Sequence, residues 1–290
     1  MTGKEVETPL LISRKYGHIM MPLLPKSPMK IRLLLSSKNE VYYTNNVFVG
    51  ACRAYKGLRV DTWFDPSKLD FHTILKFIYW WSQELTSIKF CEKELGIGNN
   101  SAIDWGMFLR EVCANYVLQQ QQQQIGGPGY LVEIDEALFT KRKSHQGWQL
   151  PEQWVFGGIC RETRECFLVA VPDRTAATLL PIIAQRIAPG STVHSDCWAA
   201  YNQIAVGGQF QHLRVNHRLN FVDPKTGAHT QNIERLWRSA KRRNKAQSGT
   251  HRQMLDSYFC EFLWRHDCKR RNVDEFDEIL QNIVAFMPPI

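Results

Sequence analysis

The chain has no Cys-x-x-Cys pair: its eight cysteines stand singly at positions 52, 91, 113, 160, 166, 197, 260 and 268. That absence removes the usual spacing of a zinc ribbon or a thiol redox centre. It also lacks an evident secretory leader, so the cysteines are expected to be reduced thiols of a soluble, internal protein. No apolar run approaches the ~20 residues that a membrane span needs. The densest, 71–81, is broken by His72, Thr73 and Lys76. Acids are in deficit, 28 against 36 Lys and Arg, which leaves a formal charge of +8 and a pI near 9.1. A positive balance suits a polyanionic partner, though many proteins share it. What is present is ample apolar material, 44 % of 290 residues, enough for two domains.

Residues 1–59 show little periodicity; Ile31-Arg32-Leu33-Leu34-Leu35 and Val47-Phe48-Val49 read as short strands or as an irregular lead-in. Helical spacing begins after Pro66, with Ile74, Leu75, Ile78 and Trp81 on one side of 71–84. Ser87 offers a cap for 88–95, Gly96 and Gly98 make a turn, and Ser101 offers a cap for a helix over 102–117 with Ile103, Phe108, Leu109 and Val112 inward. Within 60–118 this is the helix-turn-helix pattern, whose second helix can enter a major groove; a plain helical hairpin has the same spacing. The second helix carries one basic residue, Arg110. Six glutamines from Gln119 to Gln124, then Gly126, Gly127, Pro128 and Gly129, mark 119–129 as a low-complexity linker.

From 130 to 290 the texture changes. Strands are expected over 131–138, 154–160 and 165–171, the last two joined by a tight turn. A helix over 175–187, a strand over 192–195, a short helix over 198–204, a strand over 212–215 and a helix beginning near Thr230 complete the order. Three antiparallel strands followed by alternating helices and strands is the ribonuclease-H-like order, an α/β fold. It brings the ends of the first and fourth strands and a later helix to one sheet edge. Asp135, Asp196 and Glu234 fall there. Two strand-end aspartates and a helix-borne glutamate suit two Mg²⁺ or Mn²⁺ ions, hard cations that prefer oxygen ligands and that cut and join phosphodiester bonds.

Beyond Glu234 lie Arg235, Arg238, Lys241, Arg242, Arg243 and Lys245, with no acid among them. Beside a site that must accept a polyanion, such a run reads as phosphate contact; elsewhere it would be a solvated face. A nuclear-import signal fits the same run. Lys141-Arg142-Lys143, after the first catalytic strand, is a similar case. His229 and Asn232 lie on the approach to Glu234, His229 either as a phosphate contact or as a helix cap. His194 reads as a packed strand histidine, Trp237 as a packing residue, and Cys260, His266 and Cys268 as core rather than a metal cluster.

The run from Asn216 to Lys241 carries Asn-His, then Phe-Val-x-Pro-x-Thr-Gly-x-His-Thr-Gln-x-Ile-Glu-x-x-Trp, and Asp196 and Glu234 lie 38 positions apart. These residues resemble the catalytic domain of Merlin-type DDE transposases and their bacterial insertion-sequence relatives, over 130–290 and back through Asp61-Thr62-Trp63-Phe64. The resemblance implies that Asp135, Asp196 and Glu234 are catalytic and hold two Mg²⁺ or Mn²⁺ ions. It implies double-stranded DNA as partner, both transposon terminal inverted repeats and target, and a homodimer or higher oligomer on that DNA. No membrane partner is expected, and the place of action is the nucleus in a eukaryote, or the cytoplasm and nucleoid in a bacterium. Relatives often carry an N-terminal Cys-x-x-Cys zinc ribbon, whereas here only Cys52 stands, so no zinc is expected and the N-terminus resembles a degenerate ribbon. Two function classes follow: an active transposase, favoured by the intact triad, or a transposase-derived DNA-binding protein with weak or no catalysis, favoured by the lost cysteines. A nuclease acting on RNA–DNA hybrids shares the metal chemistry but leaves the helical region unexplained.

Overall fold

The structure, a computed structural model, describes residues 62–65, 67–120, 123–139, 153–246 (side chains to Arg242) and 254–288, with six short strands between Leu11 and Gly57. Residues 1–69 with 287–290 form one compact unit and 70–286 another. In the first, β1 (Leu11–Ile12) pairs with β2 (Ile19–Met20), β3 (Leu33–Leu35) with β4 (Val41–Tyr43), and β5 (Asn46–Val49) with β6 (Ala54–Gly57), each antiparallel.

The second unit opens with α1 (Phe71–Ser82), which starts where the Asp70 carboxylate accepts the Thr73 N–H at 3.0 Å. Ser87 caps α2 (Ile88–Phe90), which runs into a π-helical turn, Cys91–Leu95. Gly96, at φ 65°, stops it in the left-handed region where a side chain is strained. Helix α3 (Asn99–Gln120) is longer than the spacing predicts at both ends, and Ser101 lies inside it. Its inward stripe is Ala102, Trp105, Leu109, Val112, Cys113 and Val117. Ile103 and Phe108, expected inward, lie off that 3.6-residue stripe and are exposed. Gln119 and Gln120 finish α3, and Gln124 donates to the Ala184 carbonyl at 3.0 Å, so both ends of the glutamine run are tied to regular structure.

Next, β7 (Ile125–Gly126) pairs in parallel with β11 (Ile187–Ala188). The main sheet has β8 (Leu131–Leu138) at its centre, with β9 (Trp154–Cys160) and β10 (Cys166–Val171) antiparallel on one side. On the other side β12 (Thr192–Ser195) and β13 (Gln211–Arg214) run parallel to β8, giving the order β10-β9-β8-β12-β13. Helix α4 (Ala176–Arg186) supplies the crossover from β10 to β12. A 3₁₀ turn, Ala199–Gln203, takes the place of the expected helix over 198–204. Helices α5 (Gln231–Ala246), α6 (Leu255–Arg271) and α7 (Glu275–Phe286) follow. The fold is ribonuclease-H-like.

Alternation along β8 divides the core. Val132 and Ile134 face α4 and Tyr201, in a cluster with Phe156, Leu179, Ile183 and Val193. Ala137 and Phe139 face α5 and α6, in a cluster with Val155, Ile159, Ile233, Leu236, Trp237 and Phe259. Gly157 permits a close approach: a Cβ there would lie 2.7 Å from the Trp237 ring. Trp237 thus seats α5 directly on β9.

Helices α1 and α3 share their packing with α6 and α7 through Arg265, which is 2 % exposed. Its guanidinium donates to the Trp81 carbonyl at 2.7 Å, the Ser82 carbonyl at 2.9 Å and the Glu261 carboxylate at 3.0 Å, and pairs with Glu275. It also lies 4.1 Å from the Trp81 ring centroid. Removing one member of a buried pair leaves an uncompensated charge and here two orphaned carbonyls. Arg265→Met is therefore expected to cost about 3–5 kcal/mol. Chemical denaturation checks this; a loss under about 1 kcal/mol would show that α1 does not depend on the hub.

Candidate active site

Asp135 and Glu136 are consecutive on β8 and therefore point to opposite faces of the sheet. Asp135 faces α5, where the Trp237 indole N–H donates to its carboxylate at 3.1 Å. Burial pushes Asp135 up to about 7, and the charges of Glu136 and Asp196 add to it. Glu136 faces the Tyr201 side; burial pushes it, too, up to about 7, with Asp196 again adding. The neighbouring Tyr201 hydroxyl and the Arg174 charge work against that rise. Asp196 follows β12, and its carboxylate accepts the Trp198 N–H at 2.8 Å. The three acids thus feel one another's charge where β12 ends beside the middle of β8.

Glu234 sits in the first turn of α5, 44 % exposed. Its Oε1 accepts the Thr230 hydroxyl at 3.2 Å and lies 3.7 Å from His217 Nε2. His217 in turn meets the Thr230 hydroxyl at 2.8 Å. Among the described residues no three His, Cys, Asp or Glu side chains stand close enough to grip one ion together. By charge and donor type the set nonetheless fits a divalent cation: Asp135, Glu136 and Asp196 repel one another and offer only oxygen ligands, and the Arg174 and Lys241 charges offset them only in part.

What holds Glu234 in place begins at Glu133, which is fully buried. Its carboxylate accepts the Asn232 N–H at 2.7 Å, the Ile233 N–H at 3.1 Å and the Asn232 side-chain amide at 2.7 Å. These N–H groups belong to the first turn of α5, so a strand residue caps the helix that carries Glu234. Arg161 pairs with the same carboxylate at 2.5 Å and donates to the His229 carbonyl at 2.8 Å. His229 Nδ1 lies 3.4 Å from it. His194, buried on β12, takes the His229 N–H at 3.3 Å on Nδ1 and meets Arg161 there at 3.2 Å. Burial and the Arg161 charge push His194 down to about 4, so the ring is neutral with its proton on Nε2.

Most of the residues marked out by sequence are accounted for in these terms. His229 and Asn232 are wired into the Glu133 cluster, and Asn232 also accepts from Arg164 at 2.8 Å. Arg235, Arg238, Lys241 and Arg242 are exposed on α5, opposite Ile233, Leu236, Trp237 and Ala240. Lys241 lies within the field of Asp135 and 5.7 Å from the Phe139 ring. Lys141, Arg142 and Lys143 fall outside the described residues, as does the Arg243 side chain. Arg110, the basic residue of α3, is buried with its guanidinium 4.3 Å from the Tyr258 ring. His266 meets the Arg164 carbonyl at 2.8 Å, and Cys268 is buried. Glu133, Glu136 and Arg161 are given no role by sequence, and His217 and Thr230 appear there only as members of the motif run. An acid inside an apolar strand, as at Glu133, is the one available signal.

Residues 125–267 match the model of the ISXO2-like transposase domain. Over 99 residues the chain is 32 % identical to a Haemophilus influenzae protein described as an uncharacterized transposase-like protein, covering 34 % of this chain and 78 % of that one. Among solved structures, the simian T-cell lymphotropic virus intasome in complex with PP2A regulatory subunit B56 gamma aligns at TM-score 0.33 and 13 % identity; 49 % of each chain is covered, so this chain spans about half of that one. The HTLV-2 integrase catalytic core domain in complex with magnesium aligns at TM-score 0.30 and 10 % identity, over 49 % of this chain and 86 % of that one. Residues 125–267 thus carry an ISXO2-like transposase domain, and with the transposase-like relative this places the chain among the DDE-type insertion-sequence transposases.

Proposed function

We propose that the chain is a DNA transposase of the Merlin type that binds terminal inverted repeats, cleaves DNA at the transposon ends and joins them to a target. The observation that carries this reading is the meeting of Asp135 and Glu136, both held near 7 by burial and by the charge of Asp196, beside the exposed basic face of α5. Asp135, Asp196 and Glu234 would hold Mg²⁺ or Mn²⁺, two ions per site. Such ions supply Lewis acidity toward the phosphate and make a water or a 3′-hydroxyl a better nucleophile at neutral pH.

The chain's own residues do the rest. Trp237 fixes the Asp135 carboxylate through its indole N–H, and the Trp198 backbone N–H fixes Asp196. Thr230 and His217 hold Glu234. Arg235, Arg238, Lys241, Arg242 and, by its place in the run, Arg243 neutralise phosphates and set the strand over the acids. Lys141, Arg142 and Lys143 are assigned to phosphate contact by their place in the sequence alone. His229 and Asn232 act on DNA at second hand, by fixing the start of α5.

The division of labour follows the same proposal. The helical region 60–118 acts in end recognition and 130–290 in catalysis, on DNA-bound dimers or higher oligomers in the nucleus or nucleoid. The burial of Arg110 leaves that recognition to other residues of 60–118. The second reading, a transposase-derived DNA-binding protein with weak or no catalysis, is favoured by the lone Cys52.

Titration of the purified chain with Mn²⁺, followed by paramagnetic resonance, tests the metal centre. Two bound ions in wild type and a loss in Asp196→Asn support the proposal, and no binding in wild type refutes it. Alanine at Arg238, Lys241, Arg242 and Arg243 together is expected to weaken duplex binding whatever the sequence. Each phosphate that is no longer neutralised lowers the log–log salt slope by about one unit. An unchanged slope would make the run a solvated face.

A further inference from the structure

Beside Asp196 lies a shallow, open cleft lined by Arg174, Thr175, Ala176, Trp198, Ala199 and Ala200. Trp198 is 40 % exposed, yet it is held at several points. Its backbone N–H is on the Asp196 carboxylate at 2.8 Å, and its indole N–H is on the Arg174 carbonyl at 3.0 Å. The Arg174 guanidinium lies 4.5 Å from the Trp198 ring centroid and 4.0 Å from that of Trp154, a cation sandwiched between two indoles. A large aromatic ring left partly in water costs apolar exposure, and one pinned in a single orientation gives up its rotamer freedom before any ligand arrives. The plate therefore binds a flat partner without a further ordering cost. Its distance from the catalytic Asp196 is one hydrogen bond.

Resting on the transposase reading, we propose that this cleft is a nucleotide subsite. It takes one unpaired nucleotide of the strand being processed, with the base stacked on Trp198 and the adjoining phosphate toward Arg174. Stacking on an aromatic plate is open to every base because each has a π face, so the subsite selects for an unpaired base and not for a sequence. A base within a duplex has both faces covered by its neighbours and cannot reach the plate. Only a frayed, flipped or single-stranded nucleotide qualifies. The cation beside the indole adds attraction for the phosphate without competing for the exposed part of the ring.

The experiment uses the full chain and two probes without a metal ion: a short single strand carrying one 5-iododeoxyuridine, and a blunt duplex of the same length. Irradiation of the wild-type complex with the single strand is expected to link the iodinated base to Trp198, located by peptide mapping. Trp198→Ala is expected to weaken single-strand binding about tenfold, and Trp198→Phe by less than about threefold, with duplex binding unchanged in both. Crosslinks that spare Trp198, or equal losses on the two probes, overturn the subsite while the transposase reading stands. A wild-type chain that binds neither probe overturns both.

Discussion

Asp135→Asn, Asp196→Asn and Glu234→Gln are each expected to abolish DNA cleavage and strand transfer while leaving the fold and duplex binding in place. Each swap keeps the shape of the side chain and removes the charge that a hard cation needs. Loss of a metal-held transition state is not a partial effect: the family of two-metal reactions puts most of its rate in that charge stabilisation, so product should fall below detection. A variant that kept near wild-type activity in Mg²⁺ would remove its residue from the catalytic set. Stability moves the other way at Asp135. Its carboxyl is pushed from 3.8 up to about 7 in the folded protein. The stability it contributes is thus present below about pH 4 and is lost as pH rises through 7. Above that pH, and without metal, the charged aspartate disfavours the fold and Asp135→Asn is expected to melt at a higher temperature than wild type. Thermal melts at pH 8 in chelator check the sign, and added Mg²⁺ should reverse the order.

The second large effect is expected at Glu133. Glu133→Ala leaves the Asn232 and Ile233 N–H groups without an acceptor and Arg161 without its carboxylate. Breaking one side of a buried, hydrogen-bonded pair costs about 3–5 kcal/mol. Glu133→Gln restores one carbonyl acceptor for the helix N–H groups but turns an amide N–H toward Arg161, so it should recover only part of the loss. Because α5 carries Glu234, the alanine variant should also need more Mn²⁺ to fill its site, which separates a helix anchor from a residue that merely packs. Urea denaturation measures the first effect and Mn²⁺ titration the second. A cost under about 1 kcal/mol with unchanged Mn²⁺ affinity would deny Glu133 the anchoring role.

The strands of the main sheet are legible because they write their own signal. Runs such as 154–160 and 192–195 are β-branched or aromatic and end in turn residues, and their boundaries fall within a residue of those observed. By sequence Asp135 reads as a strand end, whereas β8 runs on to Leu138, because Glu136, Ala137 and Leu138 still pair with β9. Glu133 is not legible, since a carboxylate on a strand gives no sign of a helix start 99 residues later that will use it as a cap. Glu136 is hidden by the same two-residue period that displays Asp135. The limits of α3 escape local pattern because Ser101, a good cap by residue type, lies inside a helix that begins at Asn99. The joining of α1 with α6 and α7 depends on Arg265 reaching Ser82 across 183 positions, which no local pattern encodes.

The central claim is that one metal-dependent centre of Asp135, Asp196 and Glu234 joins DNA strands. It is met most directly by incubating the purified chain with pre-cleaved transposon-end DNA, a target plasmid and Mg²⁺ or Mn²⁺. Covalent end-to-target joints that form with either ion, vanish with chelator and are absent in Glu234→Gln are the result expected. A wild-type chain that binds the end DNA and takes up Mn²⁺ yet forms no joint would contradict it.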